Sequence, residues 1–228
     1  MVFAYNMIII LTGNIGSGKT LSAVKEIVDR QQRIFTNFEI NGLKHTRLKY
    51  DHLFKEDEEN KKKMKLNFSF WKTAISKGNF DIYLDEFHNV MNARRSMSKR
   101  NVLASDWLSQ IRKILGESEY NNLYLMTQKL RRIDINSRDL AQKCIKCIKQ
   151  EFKDVLIPTE VMIEGKLTVK RLPLTMIYKY HFPDADALNA FEFYGMNTCN
   201  GMTRFVGNGY FKYFNSYQLV DFGSQEYV

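Results

Sequence analysis

The chain has 228 residues, of which 44% are hydrophobic and 26% are charged, a composition typical of one folded domain with a substantial core. No apolar run approaches the roughly 20 residues of a membrane-spanning helix, and the N-terminus lacks the pattern of a secretory signal, so we expect a mature cytoplasmic protein. The net charge of +9 and the pI near 9.3 favour a polyanionic partner, either nucleic acid or an acidic membrane surface.

The N-terminal part of the sequence predicts the opening of a parallel sheet. Residues 7–12 form a short isoleucine-rich run closed by a glycine, which is typical of a buried strand. The apolar residues of 19–32 recur at helical spacing, and residues 33–40 alternate as in a strand. A strand, a glycine loop, a helix and a strand in this order indicate a βαβ unit. We expect the highly charged segment 44–65 to be an exposed loop or a frayed helix.

The central part of the sequence predicts two helices and two strands. Residues 68–80 favour a helix that leads into a strand, and residues 81–88, DIYLDEFH, are typical of a strand that ends in two carboxylates. The apolar residues of 103–115 share one helical face, and Gly116 follows as a plausible helix stop. Residues 123–127 predict another strand, which finishes at Gln128.

The C-terminal part is richer in strand patterns. Residues 159–172 predict a β-hairpin that turns at residues 164–165, and residues 174–182 predict a further strand. We therefore expect a core over residues 1–150 and a β-rich extension of the same domain over residues 151–228. Three cysteines argue against a disulfide framework. Cys144 and Cys147 form a C-x-x-C without further zinc ligands nearby, so we interpret them as thiols in or beside a strand, with Cys199 alone.

The glycine-rich stretch after the first strand matches G-x-x-x-x-G-K-[ST] in full. Its residues, which we expect to bind a nucleotide, are Gly13, Asn14, Ile15, Gly16, Ser17, Gly18, Lys19 and Thr20. Glycines let backbone N–H groups converge on phosphate oxygens, and the following helix adds the positive end of its dipole. Lys19 would reach the β- and γ-phosphates, and the Thr20 hydroxyl would ligate Mg²⁺. The preceding strand and following helix distinguish this phosphate-binding loop from an incidental turn.

Two carboxylates and one amide follow neighbouring predicted strands. A phosphate-binding loop needs a carboxylate to hold Mg²⁺, and we expect Asp85 to do so, often through water. Glu86 would accept the proton of an attacking water. Gln128 emerges at the same edge of a parallel sheet, where an amide senses the γ-phosphate or orients the water; the alternative is a solvent-facing loop residue.

The order of these parts resembles the zonula occludens toxin (Zot)-like family within the FtsK/HerA group of P-loop ATPases. The matching stretches are LTGNIGSGKT, IFTNFEI, IYLDEFHNV and IRKILGESEYNNLYLMTQKLRRIDINSRDL, which cover about residues 7–140. The resemblance implies an α/β fold of the RecA/HerA-like P-loop NTPase type, with a mainly parallel sheet flanked by helices. It also implies an ATP- and Mg²⁺-dependent ring, in most cases a hexamer, that moves DNA or serves viral and phage assembly.

The resemblance also implies an arginine that one subunit supplies to the nucleotide of its neighbour. Arg112, just ahead of the glutamine-bearing strand, is the candidate, and Arg138 is the reserve. The lack of a membrane-spanning segment departs from the toxin-like phage proteins and favours a packaging ATPase in the host cytoplasm, with double-stranded DNA as the polyanion and a capsid or membrane protein as a further partner.

Three other functions stay open at this stage. The stretch DEFH fits the D-E-x-H form of helicases, but 228 residues do not comfortably hold two tandem core domains. A small-substrate kinase would use Arg94, Arg95 and Arg100 in a lid. A morphogenesis adaptor would bind ATP and act through protein partners. The absence of an Asn-Lys-x-Asp motif weakly favours ATP over GTP.

Overall fold

The protein is an α/β sandwich of one central sheet with helices on both faces. The computed structural model describes residues 7–57, 64–89, 99–115, 120–163 and 166–215, and their side chains except at 99–101, 112, 154 and 156–172. The strands are β1 (Met7–Thr12), β2 (Arg33–Thr36), β3 (Thr46–Arg47), β4 (Phe54–Glu56), β5 (Met64–Leu66), β6 (Phe80–Leu84), β7 (Asn122–Thr127), β8 (Lys143–Ile163), β9 (Lys166–Phe182) and β10 (Gly201–Val206). The helices are α1 (Lys19–Arg30), α2 (Tyr50–Leu53), α3 (Phe68–Ser76), α4 (Lys99–Ser109), α5 (Ile111–Leu115), α6 (Ile135–Asp139) and α7 (Ala185–Tyr194).

The central sheet is mostly parallel, as the sequence predicts. In the described residues its order is β10-β9-β8-β1-β7-β6-β2-β3. The pairs from β8 through β3 are parallel, whereas β8 with β9 and β9 with β10 are antiparallel. Because β7 lies between β1 and β6, the carboxyl ends of these three strands meet at one edge of the sheet. The glycine loop, the two carboxylates and Gln128 all follow these ends.

Two apolar layers hold the helices on the sheet. On one face α3, α4, α5 and α7 pack against the strands around Trp71 and Trp107, each only 1% exposed. On the other face α1 contributes Ala23, Val24 and Ile27 to a second buried cluster. Strands buried on both faces are expected to be almost continuously apolar, and β1 and β6 have this composition. The site therefore lies at the ends of strands that are buried on both faces.

A C-terminal segment crosses α1 and ties the antiparallel strands to the parallel ones. The backbone N–H of Gly207 donates to the carbonyl of Thr175 over 2.8 Å, and the backbone N–H of Asn41 donates to the carbonyl of Tyr213 over 2.6 Å. Between these anchors, Tyr210 and its neighbours pack against the apolar cluster of α1. The C-terminal segment of the same chain thus packs against the apolar face of α1.

The charged segment 44–65 is where the loop prediction is wrong. The structure places β3, α2, β4 and β5 there, and β4 and β5 form a small antiparallel sheet; residues 58–63 lie outside the described ranges. Leu48, Leu53 and Phe54 are each at most 1% exposed and join the core around Trp71. These apolar residues therefore anchor the segment to the core. The high proportion of charged residues around them led to the prediction of an exposed loop.

The bounds of several other elements differ from the prediction. The helix predicted over 103–115 is two helices, α4 and α5, with a turn at Gln110, although both keep the same buried face. The predicted hairpin is confirmed as the end of β8 paired with the start of β9, but its second strand and the further strand predicted over 174–182 are one continuous strand, β9. Pro173 falls at a register shift between the pairs Phe152–Leu174 and Val155–Leu172, where a missing N–H does not interrupt the ladder. The predicted turn at residues 164–165 lies outside the described ranges, and the pair Ile163–Lys166 flanks it.

The predicted domain division at residue 150 stays a prediction. In the structure β8 runs through this position from its pairing with β1 to its pairing with β9. Cys144 and Cys147 lie in β8 and are buried, as expected for thiols in a strand. Burial raises the pKa of the Cys144 thiol to about 12, which keeps it protonated near neutral pH.

Candidate active site

The glycine loop is folded tightly against the extended strands β8 and β9. Gly13 and Gly18 have φ angles of 145° and 87°, which L-residues rarely adopt. A β-carbon on Gly13 would lie 2.5 Å from the carbonyl oxygen of Cys147, and one on Gly18 would lie 2.4 Å from Cδ1 of Ile177. The glycines are therefore needed both for the backbone conformation and for the close approach to neighbouring strands.

Lys19 begins α1 and points back into the loop. Its Nζ donates to the carbonyl oxygens of Gly13 over 2.9 Å and Asn14 over 3.1 Å, and the residue is only 7% exposed. Burial lowers the pKa of the Lys19 ammonium, while the nearby carboxylates of Asp85 and Glu86 oppose this shift. A buried ammonium at a helix N-terminus is a strong attractor for an anion.

Asp85 is held beside the loop by three sets of hydrogen bonds. The Thr20 hydroxyl donates to Asp85 Oδ2 over 2.8 Å, and the backbone N–H of Glu86 donates to Oδ1 over 2.8 Å. Asn37 grips the backbone of Asp85, accepting its N–H at Oδ1 over 2.7 Å and donating Nδ2 to its carbonyl over 2.8 Å. Burial raises the pKa of the Asp85 carboxyl, and the hydrogen bond from Thr20 counteracts the shift. A cation between Thr20 and Asp85 would favour the ionised carboxylate.

The donors at this point fit a magnesium ion. Mg²⁺ prefers oxygen ligands, commonly one or two carboxylates with waters and substrate phosphates. The Thr20 hydroxyl oxygen and the Asp85 carboxylate supply such oxygens side by side at the loop. Asp85 is 7% exposed, and its carboxylate lies near the buried Lys19 ammonium. The residues present therefore suit Mg²⁺ as the partner of a bound triphosphate.

Glu86 and Gln128 meet across the ends of β6 and β7. The Gln128 Nε2 lies 3.4 Å from each oxygen of the Glu86 carboxylate. Glu86 is half-buried, and its φ of +48° places a non-glycine residue in the left-handed region. Such strain concentrates at functional sites when surrounding structure enforces it. The two hydrogen bonds between the Asn37 side chain and the backbone of Asp85, the residue before Glu86, hold this conformation.

Sequence reasoning missed three side chains at this edge. Asn37 follows β2 directly, and His88 and Arg132 follow β6 and β7 by a few residues. His88 Nε2 lies 3.3 Å from Glu86 Oε2, and an Arg132 Nη1 proton is donated to Gln128 Oε1 over 2.8 Å. The available signal was position alone, because polar residues just after parallel strands gather at one edge of the sheet.

A cavity of about 500 Å³ opens beside the glycine loop. Its wall includes residues 13–17 of the loop, Gln128, Lys146 of β8 and Phe193 of α7. Lys146 Nζ lies 2.8 Å from Glu192 Oε1, so the two side chains form a salt bridge in this wall of the cavity. The cavity thus extends from the loop towards the C-terminal part of the sheet.

The predicted roles of the arginines are not tested by the described residues. Arg112 lies in α5, whose Ile111 and Ile114 are buried, and its side chain is outside the described residues. Arg138 lies in α6, where its buried Nε has no hydrogen-bond partner among the residues that the structure describes. The lid residues 94 and 95 and the Arg100 side chain also lie outside the described parts. Roles across a subunit boundary therefore stay predictions.

Comparisons with known proteins show the family to which the chain belongs. A family model described as zonular occludens toxin (Zot) matches residues 7–171. The chain belongs to the Zot family. The N-terminal domain of zonular occludens toxin from Neisseria meningitidis has a similar structure, with a TM-score of 0.53 and 17% identity, over 92% of this chain and 100% of that chain. The fold of this Zot-family chain is that of a P-loop NTPase, as its resemblance implied.

More distant matches also occur. The genome packaging NTPase B204 from Sulfolobus turreted icosahedral virus 2, solved with sulfate, matches with a TM-score of 0.38 and 14% identity, over 62% of this chain and 74% of that chain. Comparison with curated protein sequences finds no match. Among the residues that the structure describes, no helix has the length and apolarity needed to cross a membrane.

Proposed function

We propose that this Zot-family chain is an ATP-hydrolysing motor that translocates or packages double-stranded DNA during virus or phage assembly. The observation that carries the proposal is the convergence of Lys19, the Thr20–Asp85 pair and Glu86 at the carboxyl edge of one parallel sheet. Membership of the Zot family and the net charge of +9 support nucleic acid as the partner.

The loop and α1 would bind the triphosphate. Residues 13–20 surround it with backbone N–H groups, and the Lys19 ammonium neutralises its charge. Thr20 and Asp85 would hold Mg²⁺, which when bound neutralises the phosphate charge that develops during cleavage. Because Lys19 is already buried and desolvated, its interaction with a phosphate is stronger than that of an exposed lysine.

Glu86 and Gln128 would act on the water that attacks the γ-phosphate. The Glu86 carboxylate accepts the proton of this water, and the Gln128 amide orients it or senses the γ-phosphate. The two side chains lie 3.4 Å apart, so one water can contact both. Arg112, or Arg138 in its place, would complete the site of a neighbouring subunit in a ring, which we expect to be a hexamer.

The test is ATP turnover measured with and without double-stranded DNA over a range of salt concentrations. We expect DNA to stimulate turnover and the stimulation to fall steeply with salt, because phosphate contacts release counterions. Lys19→Ala should abolish turnover. Lys25→Ala is the matched control, because it removes one lysine from the same helix where it pairs with Asp29 at the surface, and its rate should be unchanged.

Glu86→Gln separates a motor from an adaptor. A motor should keep ATP binding in this variant and lose both turnover and assembly function. Retained assembly function would favour an adaptor that binds ATP and acts through protein partners. Turnover that ignores DNA at every salt concentration would reject the motor, and ADP release that requires a nucleoside monophosphate would point to a small-substrate kinase.

A further inference from the structure

A second layer of polar groups lies behind Glu86 and Gln128. Arg132 ends the short 3-10 helix Leu130–Arg132, four residues after Gln128. Its Nη1 donates to Gln128 Oε1 over 2.8 Å and also lies 3.3 Å from His88 Nε2. His88 is 8% exposed, and its Nε2 lies 3.3 Å from Glu86 Oε2. The guanidinium thus contacts Gln128 and His88, each of which contacts Glu86.

We propose that Arg132 is a positioning residue that orients the Gln128 amide and, with His88, sets the environment of the Glu86 carboxylate. This inference rests on the proposed ATP hydrolysis, in which Glu86 accepts the proton. Arg132 itself needs no contact with the nucleotide to act in this way.

The orientation of the amide follows from donor and acceptor chemistry. The oxygen of the Gln128 amide accepts a charge-assisted hydrogen bond from Arg132, which leaves the Nε2 donors facing Glu86. Rotating the amide by half a turn would place its oxygen against the Glu86 carboxylate and its N–H groups against the guanidinium. Both contacts would then be repulsive. The positive charge of Arg132 therefore favours one of the two orientations of the Gln128 amide.

The His88 ring adds a second consequence. One nitrogen, Nε2, lies 3.3 Å from both Arg132 and Glu86, and it cannot accept from the first and donate to the second at once. Arg132 favours the form in which Nε2 accepts and Nδ1–H faces the Thr127 hydroxyl, 3.4 Å away. Without Arg132, Nε2–H would donate to Glu86 and occupy the carboxylate that must take a proton.

The experiment compares Arg132→Gln with its neighbour Arg131→Gln. Arg131 stacks on the Phe193 ring, with its guanidinium carbon 3.2 Å from the ring centre. Each variant removes one positive charge from the same short helix. We expect Arg132→Gln to lower kcat by about tenfold or more, because small misplacements of reacting groups have effects of this order, and to leave ATP affinity nearly unchanged. Arg131→Gln should stay within about twofold of the wild-type rate, and Arg132→Lys should retain more activity than Arg132→Gln.

A double-variant cycle tests whether Arg132 acts through Gln128. In a Gln128→Ala background, Arg132→Gln should add little further loss, because the side chain that it orients is gone. Equal losses in both backgrounds would overturn the proposal, and so would an Arg132→Gln rate no lower than that of Arg131→Gln. The residual rate of Gln128→Ala must therefore be measurable, and single-turnover assays at high enzyme concentration provide it.

A second readout does not depend on catalysis. Burial lowers the pKa of His88; the charge of Glu86 opposes this shift, whereas those of Arg132 and Lys19 add to it. NMR titration of the His88 ring, assigned with a His88→Gln variant, should show a higher pKa in Arg132→Gln and no change in Arg131→Gln. An unchanged His88 titration in Arg132→Gln would overturn the proposed cluster even if the protein hydrolyses ATP. Absent turnover in the wild type would instead reject the proposed function, while the titration would still decide whether Arg132 contacts this ring.

Discussion

The backbone at Glu86 predicts that this proposed catalytic residue can be removed without loss of stability. Glu86 has a φ of +48°. The other described non-glycine residue with positive φ is Gln31, at +51°, which directly follows α1 at the end of the helix opposite the glycine loop. The perturbation is Glu86→Gly, with Gln31→Gly as the matched control. Glycine adopts this region freely, so both variants relieve the same kind of strain, one at the proposed catalytic residue and one at the end of a helix.

The expected magnitude follows from the contacts that are lost. A side chain in the left-handed region costs about 1–2 kcal/mol, and the larger freedom of glycine in the unfolded chain offsets about 0.5–1 kcal/mol of this. The Glu86 carboxylate loses a 3.4 Å contact to Gln128 and a part-exposed 3.3 Å contact to His88, which together contribute no more than about 0.5 kcal/mol. Its removal also relieves repulsion on Asp85. The free energy of unfolding should therefore stay constant or rise by up to about 1 kcal/mol, or about 2–4 °C in Tm.

Two assays on the same samples check this prediction. Urea unfolding should place Glu86→Gly at or above the wild type, and Gln31→Gly about 0.5–1 kcal/mol above it. ATP turnover should fall by about 100-fold or more in Glu86→Gly, the usual contribution of a general base, and remain normal in Gln31→Gly. A loss of more than about 1 kcal/mol in Glu86→Gly would refute the reasoning on strain, and normal turnover would refute the role of the carboxylate.

Three further variants test other parts of the structure. Gly18→Ala should lower the free energy of unfolding in urea by about 2–3 kcal/mol, because Gly18 has positive φ and the new β-carbon would lie 2.4 Å from a β9 side chain. The control Gly42→Ala, at φ +72° with open space around the new β-carbon, should lose only the part that comes from the backbone conformation. Arg30→Met should lower the free energy of unfolding by about 2–3 kcal/mol, because the buried Asp81 carboxylate, which lies 2.6 Å from Arg30 Nε, loses its cation. Adding Asp81→Asn should restore most of this stability, and additive losses from the two substitutions would contradict the pairing. Burial lowers the pKa of His181 to about 4 from 6.5, so the folded state binds fewer protons than the unfolded state between these values. The free energy of unfolding should thus fall as pH drops through that window, and His181→Gln should flatten the pH dependence; an equal slope would contradict it.

The parts of the site that the sequence predicts are those fixed by short-range rules. The glycine loop follows from spacing, and the meeting of Asp85, Glu86 and Gln128 follows from the common edge at which parallel strands end. Asn37, His88 and Arg132 escaped prediction because their roles depend on side-chain contacts between separate strands. The spacing of residues in the sequence does not show, for example, that Arg132 donates a hydrogen bond to Gln128 over 2.8 Å.

The errors in the fold have a similar origin. Periodicity in 103–115 reports the buried face, which α4 and α5 share, but it does not report the turn at Gln110 that divides them. In 44–65 the average charge outweighed a few apolar residues such as Leu48 and Phe54, which the tertiary core buries. The strand patterns of 159–172 and 174–182 were assigned separately, whereas β9 runs through Pro173, which a register shift in the long ribbon of β8 and β9 accommodates.

The most direct test of the central claim is calorimetric titration of ATP into the wild type, Lys19→Ala and Asp85→Asn, each with and without Mg²⁺. We predict that Mg²⁺ strengthens ATP binding by the wild type, that Lys19→Ala abolishes binding, and that Asp85→Asn binds ATP with little response to Mg²⁺. Equal ATP affinity in the wild type and Lys19→Ala, unaffected by Mg²⁺, would contradict a triphosphate clamped between the glycine loop and Asp85.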